Sequence, residues 1–168
     1  RRSYQKEIMD APVSDPAILF DDLRNLRYMN RFLGGSRGLL FGLKSFVRNV
    51  KLTNFSLLDV GTGSGDIPAA ITRWSRNCAV KPRIIAAEAQ PMIANVAAAE
   101  TSKFPEISVI QSDAAALPFQ PSSFDIITAS QFLHHFTEEK IITLLRHWAV
   151  LPRRAIIISE LIRHPARY

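Results

Sequence analysis

The sequence predicts an α/β fold in which an open parallel sheet carries helices on both faces, and three observations predict it. From residue 55 onward, short apolar runs alternate with segments of helical periodicity, the pattern of strands joined by crossover helices. The first of those runs leads into "VGTGSGD", where Gly61, Gly63 and Gly65 are the last of only seven glycines in the chain. Acidic residues then recur where strands end. Asp59, Glu88 and Asp113 lie at or near the carboxyl ends of three successive strands, the edge at which open α/β sheets bind ligands.

Each element has its own warrant. "FSLLDV" (55–60) is the first strand. Ile67, Ala70, Ile71 and Trp74 then recur at helical spacing, with Pro68 in a first turn that tolerates a residue lacking an N–H. "RIIAAE" (83–88) is the second strand, and a helix from about Pro91 to Ser102 follows it. "ISVIQ" (107–111) is the third strand, "LPFQPSS" a loop broken by two prolines, and "FDIITAS" (124–130) the fourth strand. Thr137 is placed to cap the next helix, with Glu138 and Glu139 at its positive end and Ile141, Ile142, Leu144, Leu145 and Trp148 as its buried stripe. "AIIISEL" (155–161) is the fifth strand. Earlier in the chain, Leu19, Leu23, Leu26, Met29 and Leu33 share one helical face, and Gly34-Gly35 suits its C-terminal cap. Residues 1–50 therefore read as a helical cap or flank and residues 51–168 as the α/β unit, together one domain.

Composition narrows the class. At 168 residues, with 47% hydrophobic and 21% charged residues, the chain has the make-up of one soluble globular domain. No apolar run approaches the roughly 20 residues of a membrane helix, and "RRSYQKEIMDAP" lacks the apolar stretch of a signal peptide. No membrane span and a cytoplasmic location are expected. The single cysteine, Cys78, allows no internal disulfide, offers no metal-ligand spacing and reads as a packing residue at a helix end. The net charge of +6 comes from scattered Lys and Arg with only short doublets, not from the basic stripe of a nucleic-acid binder, so no nucleic-acid partner is expected. The chain begins without methionine and stops at Tyr168 after a strand-like run, which reads as a trimmed piece of a longer protein.

A strand that ends in G-x-G-x-G and turns into a helix brings its backbone close to a ligand, because no Cβ intervenes and positive φ is accessible. A dinucleotide loop would carry its third glycine at position 66, facing pyrophosphate; that position is Asp66, whose carboxylate repels phosphate. The phosphate-loop pattern needs Gly-Lys-Ser/Thr, and this segment has no lysine. The loop suits a ligand without phosphate that carries an amine. Glu88 can accept from both hydroxyls of a ribose, and Asp113 from an exocyclic amine such as that of adenine. Taken singly, each acid reads more readily as a helix cap or a solvated loop residue. Their shared register with the glycine loop reverses that preference.

"LLDVGTGSGD", "AAEAQPMI", "QSDAAALPF", "SSFDIITASQFLHHF" and "AIIISEL" together resemble the successive motifs of class I S-adenosylmethionine-dependent methyltransferases, in particular the small-molecule branch that includes quinone-biosynthesis enzymes. The resemblance covers about residues 55–161. "MNRFLGG" and "PRRAIIISELIRHPARY" resemble more narrowly the methyltransferases associated with bacterial type III polyketide synthases. The resemblance implies a Rossmann-like, S-adenosylmethionine-binding domain at 51–168, with five strands where the family has seven, so the last two are expected to be lacking. It also implies that Gly61, Gly63 and Gly65 line the amino-acid part of the cofactor while Asp59 helps to hold its ammonium end. Glu88, with Ala89 beside it, would clamp the ribose; Asp113 and the backbone of Ala114 would read the adenine edge; Ser130 would complete the cofactor set. Many members have a Pro-Gly-Gly turn before the fifth strand, where this chain has Leu151-Pro152-Arg153-Arg154.

The methyl group of a sulfonium is strongly electrophilic, so such an enzyme chiefly aligns a nucleophile and excludes water. A phenol becomes a better nucleophile on losing its proton, and a histidine is suited to accept it. His134 and His135 follow the fourth strand at the expected edge, although "QFLHHF" also reads as the mere entry to the next helix. Ser130 and Gln131 are weaker candidates for lining the acceptor pocket. Phe132, Phe136 and the segment around Arg27, Tyr28, Met29, Asn30 and Phe32 can cover it or simply pack the core. The expected function is methyl transfer to a small molecule, a phenolic hydroxyl of a polyketide- or quinone-like acceptor. The alternatives are methylation of a ring carbon in a quinone precursor, a non-catalytic cofactor- or partner-binding module, and, last, a dinucleotide dehydrogenase.

Overall fold

Five parallel strands in the order β3-β2-β1-β4-β5 form the framework of a computed structural model that describes residues 35–160. The strands are β1 (Asn54–Val60), β2 (Lys81–Glu88), β3 (Ile107–Gln111), β4 (Phe124–Ser130) and β5 (Pro152–Ser159). Helices α1 (Gly35–Asn49), α2 (Asp66–Arg76), α3 (Pro91–Thr101) and α4 (Glu138–Trp148) cover the faces, and a single 3-10 turn, Leu133–His135, follows β4. The architecture is the Rossmann-like α/β sheet expected. The helical face over Leu19–Leu33 and the candidate cover at Arg27–Phe32 lie outside the described residues, as does Leu161.

Alternation along the central strands explains why both faces are covered. Leu57 and Ile126 point to one side, where they pack with Leu39, Leu43 and Val47 of α1 and Ile67 and Ile71 of α2. Their neighbours Leu58 and Ile127 point to the other, against Leu144 and Trp148 of α4. A parallel sheet buried on both faces requires such near-continuous apolar strands. The α1 residues recur every four positions, and fully burying each one contributes roughly 1.5–3 kcal/mol.

The structure corrects several local expectations. The fifth strand begins at Pro152 and ends at Ser159, because proline is tolerated as the first residue of an edge strand and a register irregularity between Phe124 and Ile126 absorbs it. Arg153 and Arg154 accordingly lie in β5, where they approach Asp125 Oδ1 at 3.7 and 3.3 Å. Ile142 is half exposed, since a 100° turn per residue puts it off the face shared by Ile141, Leu144, Leu145 and Trp148. Cys78 is exposed beyond the end of α2 and does not pack the core.

The strand order has one point of reversal. The chain builds outward from β1 through β2 to β3, then returns to place β4 on the other side of β1. The loops leaving the carboxyl ends of β1 and β4 diverge there and open the crevice that receives ligands in sheets of this kind.

Candidate functional site

The β1 loop is shaped by backbone geometry. Gly61, Gly63 and Gly65 have φ of 66°, 56° and 78°, all left-handed, so the chain folds back and enters α2 within five residues. At Gly61 the constraint is also steric, because a Cβ there would overlap the ring of Phe132 from the β4 loop. Gly63 differs: a Cβ there would meet nothing within 4 Å, so the loop opens into space at that residue. Gly65 packs toward Thr101 and Ala97 of α3.

Two carboxylates hold this loop. Asp59 is 2% exposed and accepts from the hydroxyls of Thr62 and Thr128, both at 2.7 Å. Burial pushes its pKa up to about 7 against the opposing pull of those hydroxyls, with the nearby charges of Asp66 and Glu88 adding to the rise. Glu88, half-buried at the end of β2, accepts from the Gly63 N–H through Oε2 and from the Gln90 N–H through Oε1, both at 3.1 Å. Ala89 beside it is exposed. Asp66 begins α2, where a carboxylate complements the helix dipole. The concentration of acids favours a cationic ligand over an anionic one.

The third candidate acid follows β3. Asp113 is exposed, and its Oδ1 accepts from the Ala115 N–H at 2.8 Å, so it shapes its own turn. Ala114 is buried, and its carbonyl accepts from the Trp148 indole N–H at 2.8 Å, which ties α4 to this loop.

The β4 loop brings the histidines to the same edge. After Ser130, Gln131 takes a left-handed φ of 54° and donates its N–H to the Ser159 carbonyl at 2.8 Å. The segment that follows does not run into α4; it forms the 3-10 turn and then extends through Phe136 to the Thr137 cap. Phe132 lies 5.1 Å from the Phe136 ring and 6.1 Å from the Trp148 ring, and so joins the glycine loop to the core under α4. Glu160, just past β5, holds the turn in place. Its Oε1 accepts from the Phe132 and Leu133 N–H groups at 2.9 and 2.7 Å, and its Oε2 lies 2.9 Å from His134 Nδ1. His135 is exposed, with its ring centroid 4.2 Å from that of His134.

A family model described as a methyltransferase domain matches residues 57–153, more than half of the chain. The chain belongs to this methyltransferase-domain family. The matched stretch of the methyltransferase domain runs from β1 to the start of β5 and takes in both loops of the crevice. Among solved structures, the YcgJ protein of Bacillus subtilis is 25% identical with a TM-score of 0.53, the match covering 66% of this chain and 45% of that one. A SAM-dependent methyltransferase from Aquifex aeolicus is 19% identical with a TM-score of 0.62, over 91% of this chain and 79% of that one. The magnesium protoporphyrin IX methyltransferase of Synechocystis, solved with bound SAH, is 15% identical with a TM-score of 0.65, over 79% of this chain and 58% of that one. The last two likenesses establish the shared fold. This methyltransferase domain thus spans less than two thirds of the Bacillus and Synechocystis chains. No curated protein matches it.

Sequence reasoning singled out the acids at the ends of β1 and β2 but passed over Glu160, and Thr62 and Thr128 as partners of Asp59. Glu160 carried the same signal as Glu88, an acid at the carboxyl end of a strand. Thr128 carried no signal, since it lies 69 positions from Asp59, whereas Thr62 lies only three positions away.

Proposed function

We propose that this chain is the cofactor-binding domain of an S-adenosylmethionine-dependent methyltransferase acting on a small molecule, with a phenolic hydroxyl of a polyketide- or quinone-like compound as acceptor. One observation carries the reading: Gly63 opens into space while its N–H is held by the Glu88 carboxylate at the carboxyl end of the neighbouring strand. The residues fit that cofactor. Gly61, Gly63 and Gly65 would hold its amino-acid part, Glu88 with Ala89 its ribose, Asp113 and the Ala114 backbone its adenine, and Ser130 the side toward the acceptor. Asp59 would act chiefly through the loop, because both its oxygens are engaged by threonines. The acids around the loop match a ligand with a net positive charge.

When bound, S-adenosylmethionine supplies an electrophilic methyl group. The chain's own part is to orient and to manage a proton. The glycine loop would hold the cofactor at the same sheet edge as the β4 turn, where His134 and His135 would face an acceptor. Phe132 and Phe136, whose ring centroids lie 5.1 Å apart, would cover the acceptor side of the site. A neutral imidazole there takes the phenolic proton as the oxygen becomes nucleophilic.

Calorimetric titration with S-adenosylmethionine and with its demethylated product tests the cofactor; dissociation constants on the order of micromolar are expected. A mass-spectrometric screen of phenols then tests the acceptor. A carbon-methylated product would move the reading to ring methylation, and binding without turnover in any longer form of the chain would move it to a non-catalytic module. Nicotinamide-cofactor binding as tight as that of S-adenosylmethionine would overturn the interpretation of Asp66.

A further inference from the structure

The chain's two tryptophans are bonded differently. The buried indole nitrogen of Trp74, on the α1 side of the sheet, meets no acceptor among the described residues. That of Trp148, a fully buried residue at the end of α4, donates to the Ala114 carbonyl at 2.8 Å across 34 positions. The same peptide unit is held at its other end, because the Ala115 N–H donates to Asp113 Oδ1 at 2.8 Å. A planar peptide gripped at both ends cannot rotate without breaking a bond, so its orientation fixes the Ala114 backbone and the Asp113 carboxyl together. The Trp148 ring also stacks on that of Phe132, with centroids 6.1 Å apart and planes 29° from parallel. Phe132 in turn fills the place that a Cβ on Gly61 would take. One buried side chain thus reaches the turn after β3 directly and the glycine loop through a single neighbour.

We propose that Trp148 is a positioning residue for both ends of the cofactor: its indole N–H sets the Asp113–Ala114 turn for the adenine, and its face, through Phe132, sets Gly61 for the amino-acid part. The inference deepens the methyl-transfer reading and rests on it. Hydrogen bonds to the edge of a base weaken steeply as they bend, so a turn that reads adenine has to be held in one orientation. Groups that contact a ligand keep their geometry only when packing and further hydrogen bonds lock them from behind. Trp148 supplies both at once, and the two are separable. The N–H acts on the adenine end alone, whereas the ring acts on the glycine loop by way of Phe132. Burial makes the indole bond hard to replace, because a carbonyl that loses its donor inside the protein pays its full desolvation cost.

The test is calorimetry with two probes, adenosine and S-adenosylmethionine, on wild type, Trp148→Phe and Phe132→Leu. Trp148→Phe removes the N–H and keeps an aromatic ring against Phe132, so both probes should weaken alike, by about tenfold, the scale of one buried hydrogen bond. Phe132→Leu should weaken S-adenosylmethionine by a similar factor while adenosine stays within about twofold of wild type. Unchanged adenosine affinity in folded Trp148→Phe, or equal losses for both probes in Phe132→Leu, would overturn the proposal. Should a variant not fold, NMR of the two indole N–H groups in the wild-type chain decides instead. On addition of adenosine the Trp148 signal should shift and the Trp74 signal should stay; a Trp148 signal that does not move, or moves no more than that of Trp74, would sink the idea. Folded wild type that binds neither probe would defeat the methyl-transfer reading and this inference with it. Binding of both probes with an indifferent Trp148 would defeat this inference alone.

Discussion

The loops after β1 and β4 meet at the same crevice and solve the same problem by different means. Each leaves a strand, turns sharply and exposes backbone N–H groups, and each has a carboxylate from the adjacent strand to accept them: Glu88 for Gly63, Glu160 for Phe132 and Leu133. The difference lies in the second oxygen. Glu88 spends it on another backbone N–H, that of Gln90, whereas Glu160 directs it to the titratable side chain of His134. The first loop also turns on three left-handed glycines, while the second does so on Gln131. One region is built for shape; the other joins shape to a proton-bearing group.

Four changes sharpen that contrast, taken from the largest effect to the smallest. Asp59 underlies the shape-building loop, and its folded pKa of about 7 lies above the unfolded aspartate value. The native state therefore holds a proton that the unfolded chain has already released. This contribution is fully present below about pH 4 and is lost as pH rises toward 7, a change on the order of 4 kcal/mol. In Asp59→Asn that loss should vanish, so that the stability difference from wild type moves in the variant's favour between about pH 4 and pH 8 in urea melts. Carboxylates whose pKa values are lowered, such as Asp125 and Glu160, act the other way as pH falls, and they cancel in the comparison.

Gly61→Ala comes next. The new methyl group meets the Phe132 ring and the backbone is left-handed, so a loss of roughly 3 kcal/mol is expected from overpacking and strain together. Because Phe132 belongs to the other loop, the histidine NMR signals should shift as well; unperturbed signals would argue that the two loops are independent. Glu88→Ala should weaken S-adenosylmethionine binding by about 1–3 kcal/mol in calorimetry, through loss of charge-assisted hydrogen bonds and of the Gly63 tether. Unchanged affinity in the folded variant would remove the ribose assignment. Gly63→Ala should cost only about 1 kcal/mol of stability, the price of left-handed φ without a clash. Its larger effect should appear in cofactor affinity, since the added methyl group enters the open space.

Much of this site was legible in the chain. The glycine spacing announced a tight turn, and Asp66 in place of a third dinucleotide glycine argued against pyrophosphate, because both readings depend on what a residue does to its own backbone and nearest charge. The alternation of strand and helix periodicity yielded the sheet for the same reason. Less legible were the ends of elements. Pro152 starts β5 only because β4 offers it a partner with an irregular register, whereas the outward face of Ile142 follows from helical periodicity and was legible had it been applied strictly.

What the sequence by itself determined is the set of local conformations: five apolar strands, the left-handed glycine turn and an acid at several strand ends. What only the tertiary structure decided is which of those acids meets which partner. Thr128 reaches Asp59 across 69 positions and Glu160 reaches His134 across 26, and neither meeting exists until β4 settles between β1 and β5 in one register. Periodicity and φ preference are properties of a few neighbouring residues, whereas hydrogen-bond partners across a parallel sheet are set by crossover connections and strand order, which no short stretch of sequence contains.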